Sequence, residues 1–390
     1  MKFDAAFFDR PLNRYGTDSR KWEQPGLMQE GFIPLWVADM DFACAPAINE
    51  ALTKRAQHPN YGYTILPDSL IAAIRDFWQR RHRVTVKPEE LCFLPSVVTG
   101  LRMAVKALSQ PGDKVAIFTP IYAPFYAAIN ESERQLVELP LINGNDYRYT
   151  IDFAKVESAF KQGVKLLMLC SPHNPISRIW TKEELIKLCD LCNKYQVKLA
   201  CDEIHNDFIY QDHPFTPILT LEQAPNDTLC LAAPSKTFNV AGLQLAYMIS
   251  RDTALMETTA LNMRRLGIER GNIFSLVAAK AAYEKGDEWL DGLLAYLDQN
   301  RKHLADYVKT HLPLAKLTPI ECTYLAWLDI SAYETDDTTL EEKLKTNKVA
   351  FTMGYVFSKE LGKNHLRINF GCPKAQLLAG LERLKNALIS

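Results

Sequence analysis

The chain has 390 residues, 47% hydrophobic and 23% charged, with a formal net charge of −1. That length exceeds one simple core and suits two domains, and the composition is ordinary for a globular enzyme in water. The near-neutral balance gives no electrostatic basis for binding nucleic acid or an anionic membrane.

In chain order, Met1-Lys2-Phe3-Asp4 opens without an apolar h-region, so no secretory signal is expected. The cluster Arg80-Arg81-His82-Arg83 reads as a solvated helix end. A helix is predicted over 97–109, then the turn Pro111-Gly112-Asp113 and a strand over 114–119 that ends at Pro120. A second strand is predicted over 164–170. Thr181-Lys182-Glu183-Glu184-Leu185 carries a capping box and opens a helix. Leu185, Leu188, Cys192 and Tyr195 keep its period. Further strands are predicted over 197–201, 229–232 and 245–250. Continuous apolar strands between amphipathic helices imply a mostly parallel sheet covered on both faces. Helices dominate 253–311. Shorter strands over 324–330 and 365–370 and a helix from Lys374 form a smaller α+β tail, which the first forty or so residues are expected to join.

No uninterrupted apolar stretch reaches membrane-spanning length. The nine cysteines sit mostly inside apolar runs, among them Cys92, Cys170, Cys201 and Cys230, and read as reduced thiols of a cytoplasmic protein. Cys189 and Cys192 form a CxxC, but no second pair stands at metal-ligand spacing, so core-facing helix positions are expected and no metal.

The chemistry concentrates at strand ends. Lys236 lies in Ala233-Pro234-Ser235-Lys236-Thr237-Phe238-Asn239, directly after an apolar strand. A lysine there can form a Schiff base with an aldehyde while Ser235 and nearby N–H groups hold a phosphate, which points to pyridoxal 5′-phosphate. Asp202 ends the preceding strand, where a carboxylate can keep a pyridine nitrogen protonated. His205 stands three residues on, within reach of a ring hydroxyl. Asn174, in Ser171-Pro172-His173-Asn174-Pro175, occupies the loop after the strand before that. Tyr122 follows the strand ending at Pro120 and can stack on a ring. Val98 and Thr99 open a helix whose free N–H groups and dipole favour a phosphate. Arg367 alternates with apolar residues in Leu366-Arg367-Ile368 and lacks an obvious partner; a substrate carboxylate would supply one.

Together these segments resemble the fold-type I pyridoxal-phosphate enzymes of the class I/II aminotransferase superfamily, and within it the MalY/PatB-type cystathionine β-lyases, or C–S lyases. The likeness spans nearly the whole chain. It includes Gly16-Thr17-Asp18-Ser19-Arg20-Lys21-Trp22, Trp36-Val37-Ala38-Asp39-Met40-Asp41-Phe42, Tyr61-Gly62-Tyr63-Thr64, Asp202-Glu203-Ile204-His205 and Ile368-Asn369-Phe370-Gly371. The resemblance implies an aspartate-aminotransferase-like α/β fold with a seven-stranded sheet. It implies a large cofactor-binding domain over 46–284 and a small domain from 1–45 and 285–390. Lys236, Asp202 and Tyr122 would carry catalysis. Asn174 and His205 would flank the ring hydroxyl. Ser235 and the Val98-Thr99 backbone would bind phosphate, joined by Tyr61 from a neighbouring subunit of a homodimer. Arg367 would hold the substrate carboxylate, helped by backbone at Ala38. The reaction implied is α,β-elimination from a sulfur amino acid, with transamination as its rival. Two positions depart from the pattern: Ser96 and Ser177 stand where relatives usually place glycine. A left-handed backbone at either would cost on the order of 1 kcal/mol.

Overall fold

A computed structural model describes residues 2–389 except 27, 29, 30, 211, 269 and 270. Its central sheet has seven strands in the order Leu91–Leu94, Ala246–Ile249, Leu229–Ala232, Lys198–Asp202, Val164–Cys170, Lys114–Thr119 and Gln135–Pro140. Ala246–Ile249 pairs antiparallel with both neighbours, and the remaining pairs are parallel. Successive side chains serve opposite layers. Val115, Ile117, Leu166, Met168, Leu229 and Leu231 pack in one cluster with Leu101 and Met256 of helices Val97–Leu108 and Thr253–Arg265. Ala116, Phe118, Leu167, Leu169, Cys230 and Ala232 pack in the other with Leu185 and Leu188 of helix Lys182–Tyr195. Both faces are therefore dry, which explains apolar runs without alternation.

The five predicted strands of this sheet are present, with ends moved by no more than one residue. Two more strands, Leu91–Leu94 and Gln135–Pro140, occupy its two edges. The capping box forms as read: Thr181 Oγ1 accepts from Glu184 N–H, and the Glu184 carboxylate accepts from Thr181 N–H.

A second, antiparallel sheet follows the 25-residue helix Asp287–His311. Its order is Lys316–Leu317, Leu325–Asp329, His365–Asn369, Thr352–Met353. The N-terminal stretch is stitched to this part of the molecule. Ile33–Pro34 pairs in parallel with Val349–Ala350, and Asn369 N–H donates to Leu35 O at 2.9 Å. Both cysteines of the CxxC are buried, and none of the nine cysteines is in a disulfide. Among the described residues no helix is long and apolar enough to cross a membrane.

One surface expectation is corrected. Arg80 and Arg81 pair with Asp287 and Asp291 near the surface, but His82 turns inward to Asp207. The cause is local. Residues Trp78–His82 form a wide π-helical turn closed by Arg83 at φ 57°, and the altered winding presses the His82 ring against Trp78.

Candidate active site

Because they are parallel neighbours, strands ending at Thr119, Cys170, Asp202 and Ala232 deliver their loops to one edge of the sheet. Tyr122, Asn174, Asp202 and Lys236 consequently line one cavity of about 750 Å³. Arg367 and Ala38 enter from the opposite side, and His205, Ser235 and Val98 also line it. Thr99 and Tyr61 do not lie among the lining residues. Tyr61 is exposed, with its hydroxyl on Ala56 O at 2.8 Å.

Lys236 sits in the short helix Pro234–Thr237. Its Nζ donates to Ala38 O at 2.6 Å, and Tyr324 OH donates to the same carbonyl at 3.0 Å. Burial pushes the amine down to about 8; Asp39 opposes that and Arg367 reinforces it. An amine near neutrality is a competent nucleophile and base. Asp202 is buried on the cavity floor, and burial raises its carboxyl to about 7 against a hydrogen bond from Ile204 N–H at 3.0 Å. A carboxyl held so high calls for a cationic partner.

Asn174 Oδ1 accepts from Arg367 Nη1 at 3.1 Å. The other guanidinium bonds go from Nη2 to Trp36 O at 3.0 Å and Thr352 Oγ1 at 3.3 Å, all neutral acceptors. Its plane lies over the Phe357 ring at 4.8 Å. Burial lowers the arginine to about 10. A guanidinium buried among neutral groups is costly unless an anion joins it. His205 is also buried, and burial aided by the Lys236 and Arg367 charges drops it to about 3, so the ring is neutral. His205 Nδ1 and Arg367 Nε are buried with no hydrogen-bond partner among the described residues.

The two departures from the family pattern behave differently. Ser96 has φ −157°, an extended backbone open to any residue, and its Oγ caps helix Val97–Leu108 by accepting from Thr99 N–H. That commits the Thr99 amide to the cap. Ser177 has φ 57°, so the strain is present there alone. Its buried hydroxyl donates to Cys322 O and lies 3.0 Å from Thr323 Oγ1. The serine thereby bonds the loop carrying Asn174 to the segment leading into strand Leu325–Asp329.

Other residues at the site carried no assignment from sequence. Asn239, at φ 57°, accepts from Met40 N–H and donates to Met40 O and Phe42 O at 2.9–3.1 Å. It pins the 36–42 segment beside the lysine. Behind that segment, buried Lys21 pairs with Asp41 at 2.8 Å, and Arg14 reaches both Asp39 and Asp41 at 2.7 Å. These partners lie far apart in sequence; only the repeated acidic pattern Asp39-Met40-Asp41 hinted at them.

A planar pyridine aldehyde bearing a phosphate fits this donor set: a buried amine, a raised carboxyl awaiting a cation, unpartnered ring and guanidinium nitrogens, and a helix start. The chain belongs to the aminotransferase class I and II family, whose model matches residues 31–384, and it has the fold of the pyridoxal-phosphate-dependent transferases. It is 39% identical to cystathionine beta-lyase PatB of Bacillus subtilis over 98% of this chain and 99% of that one. It is 33% identical to protein MalY of Escherichia coli over 98% of both chains. The solved structure of cystalysin from Treponema denticola, which contains a pyridoxal 5′-phosphate cofactor, superposes with a TM-score of 0.92 at 32% identity, covering 98% of each chain.

Proposed function

We propose that this protein is a pyridoxal 5′-phosphate-dependent carbon–sulfur β-lyase of the cystathionine β-lyase type. It eliminates a thiol from a sulfur amino acid and, with water, leaves pyruvate and ammonia. One observation carries the reading: a buried amine, a raised carboxyl and an arginine with no carboxylate partner among the described residues share one cavity. The chain around them is 39% identical to a cystathionine β-lyase.

When bound, the cofactor supplies an electron sink for negative charge at the substrate Cα. Lys236 would hold the cofactor at its aldehyde carbon, and its Nζ, when free, would take the substrate Cα proton as general base. Asp202 would keep a proton on the cofactor's ring nitrogen. Asn174 and His205 would hold its hydroxyl, and Tyr122 would pack against the ring. Ser235 and the Val98 backbone would bind the phosphate, while Thr99, whose amide is taken by Ser96, would hold the helix start in place. Arg367, with Ala38 beside it, grips the substrate carboxylate and so aims the Cα–H bond at Lys236. Tyr61 serves the site of a second copy in a homodimer; its exposure, with that of Tyr63 and Ile65 nearby, supports an apolar contact there. Residues 46–284 form the cofactor-binding domain and 1–45 with 285–390 the small domain. A cytoplasmic location fits nine cysteines without a disulfide.

Transamination uses the same residues as far as loss of the Cα proton, and the family description keeps it as the second reading. Purified, cofactor-loaded protein given L-cystathionine without any 2-oxo acid decides between them. Equal amounts of pyruvate and free thiol support the lyase. Neither product, with amino-group transfer once a 2-oxo acid is added, rejects it for the transaminase.

A further inference from the structure

We propose that Asp207, clamped by His82, is a positioning residue that fixes Lys236 through the hydroxyl of Thr237. Asp207 Oδ2 accepts from Thr237 Oγ1 at 2.6 Å, and Oδ1 lies 2.9 Å from His82 Nε2. Thr237 is 1% exposed, Asp207 8% and the His82 side chain 6%. Both carboxylate oxygens are thus committed in a dry setting, where such bonds are strong and geometrically strict.

The connection matters because of what it joins. Thr237 is the last residue of the one-turn helix that carries Lys236. Its backbone bonds among the described residues, such as Phe238 N–H to Pro234 O at 2.9 Å and Val240 N–H to Ser235 O at 3.0 Å, reach only the residues that directly follow it. Asp207 belongs to the turn that follows Asp202 and contains His205, closed by Asn206 N–H on Glu203 O at 2.9 Å. One carboxylate therefore couples the segment bearing Asp202 and His205 to the segment bearing Lys236. His82 anchors it from a third element, its ring wedged against Phe77, Trp78 and Phe215. A base that must shuttle between two bonding positions depends on such a fixed origin, since an ångström of misplacement can cost about a hundredfold in rate.

The inference rests on Lys236 being the reactive amine. The test compares holoenzyme of the parent with Thr237→Val, which keeps the shape and loses the hydroxyl, and Thr237→Ser, which restores it. Thr237→Val is expected to lower kcat about tenfold or more while KM stays within about twofold, because Arg367 is untouched. It is also expected to move the pH midpoint of the visible band of the lysine-bound cofactor by about half a unit, since the nitrogen shifts relative to Asp202 and Arg367. Thr237→Ser returns both to near the parent. A folded Thr237→Val with parental kcat and midpoint overturns the proposal, as does a Thr237→Ser as impaired as Val. Should Thr237→Val not fold, Asp207→Asn is read instead: a smaller loss with the same split supports the clamp, and parental values overturn it. A parent without the visible band brings down the lysine assignment and this inference with it, whereas a parent with the band and variants that keep its kcat and midpoint bring down this inference alone.

Discussion

The cavity has two unlike walls. One comes from the C-terminal ends of parallel strands and carries Tyr122, Asn174, Asp202 and Lys236. Its lysine and aspartate are displaced toward neutral pH, to about 8 and about 7. The opposite wall comes from the extended 36–42 segment and strand His365–Asn369. Its arginine is cross-tied to Trp36, Thr352 and Asn174. Burial perturbs both walls, but on the first it makes reactive groups, whereas on the second it makes a rigid receptor with one nitrogen unsatisfied among the described residues. Reactivity and recognition are thus assigned to separate parts of the fold, so substitutions should separate kcat from KM.

The largest effect falls on the reactive wall. Lys236→Ala should reduce pyruvate release by about 10⁴-fold or more, as expected for removing both nucleophile and base; substantial turnover would end the division. On the receptor wall, Arg367→Met should lower kcat/KM on the order of a hundredfold, mainly through KM. Met can occupy the apolar space beside Phe357. The cofactor-free variant should therefore melt no lower than the parent, because an arginine buried without a carboxylate partner stabilises nothing by its charge.

A third substitution reads the raised carboxyl directly. Asp202 is protonated in the folded, cofactor-free protein up to about pH 7, but ionises near pH 4 when unfolded. Between those values the folded state binds the extra proton, so this group's contribution to stability falls as pH rises. Asp202→Asn abolishes that loss. In thermal melts the variant should gain on the parent from pH 4 to pH 7 and hold its advantage above; a constant difference contradicts the raised carboxyl. The smallest effect tests the joint between the walls. Ser177→Ala keeps the left-handed strain and loses the bonds to Cys322 and Thr323, costing about 1–3 kcal/mol. Ser177→Gly loses the same bonds but relieves the strain, and should be about 1 kcal/mol milder in denaturant melts.

The first wall was readable because each residue follows a continuous apolar strand in a fixed order, and parallel neighbours must end together. The strands that escaped were the two at the sheet's edges. Leu91–Leu94 is hemmed in by Glu89-Glu90 before it and Pro95 after it, and Gln135–Pro140 exposes Gln135, Glu138 and Pro140 to water, which breaks the apolar run. Arg367 was legible as a cation on a buried strand. Its neutral partners were not, since Trp36 lies 331 residues away. His82 was misread for a physical reason: three neighbouring arginines made the cluster look solvated, whereas a wide turn directs the one imidazole into the interior. Local periodicity holds no trace of Asp207, which gains its meaning from elements separated in sequence. The same holds for Asn239, whose left-handed backbone and three bonds to residues 40 and 42 exist only after folding.

The stitching of residues 33–41 to the far end of the chain has a consequence for biosynthesis. Ile33 and Pro34 wait for Val349 and Ala350, and the Trp36 carbonyl waits for Arg367. On a ribosome, the parallel strands and Lys236 emerge well before the residues that complete the receptor wall. The segment made early must stay unpaired until nearly the whole chain exists, and then close a loop of more than three hundred residues. Loop-closure entropy grows only slowly with length, so the delay is tolerable thermodynamically. Kinetically it means that a polypeptide stalled before residue 349 can present the lysine but has no finished pocket, and competence arrives in one late step rather than by degrees.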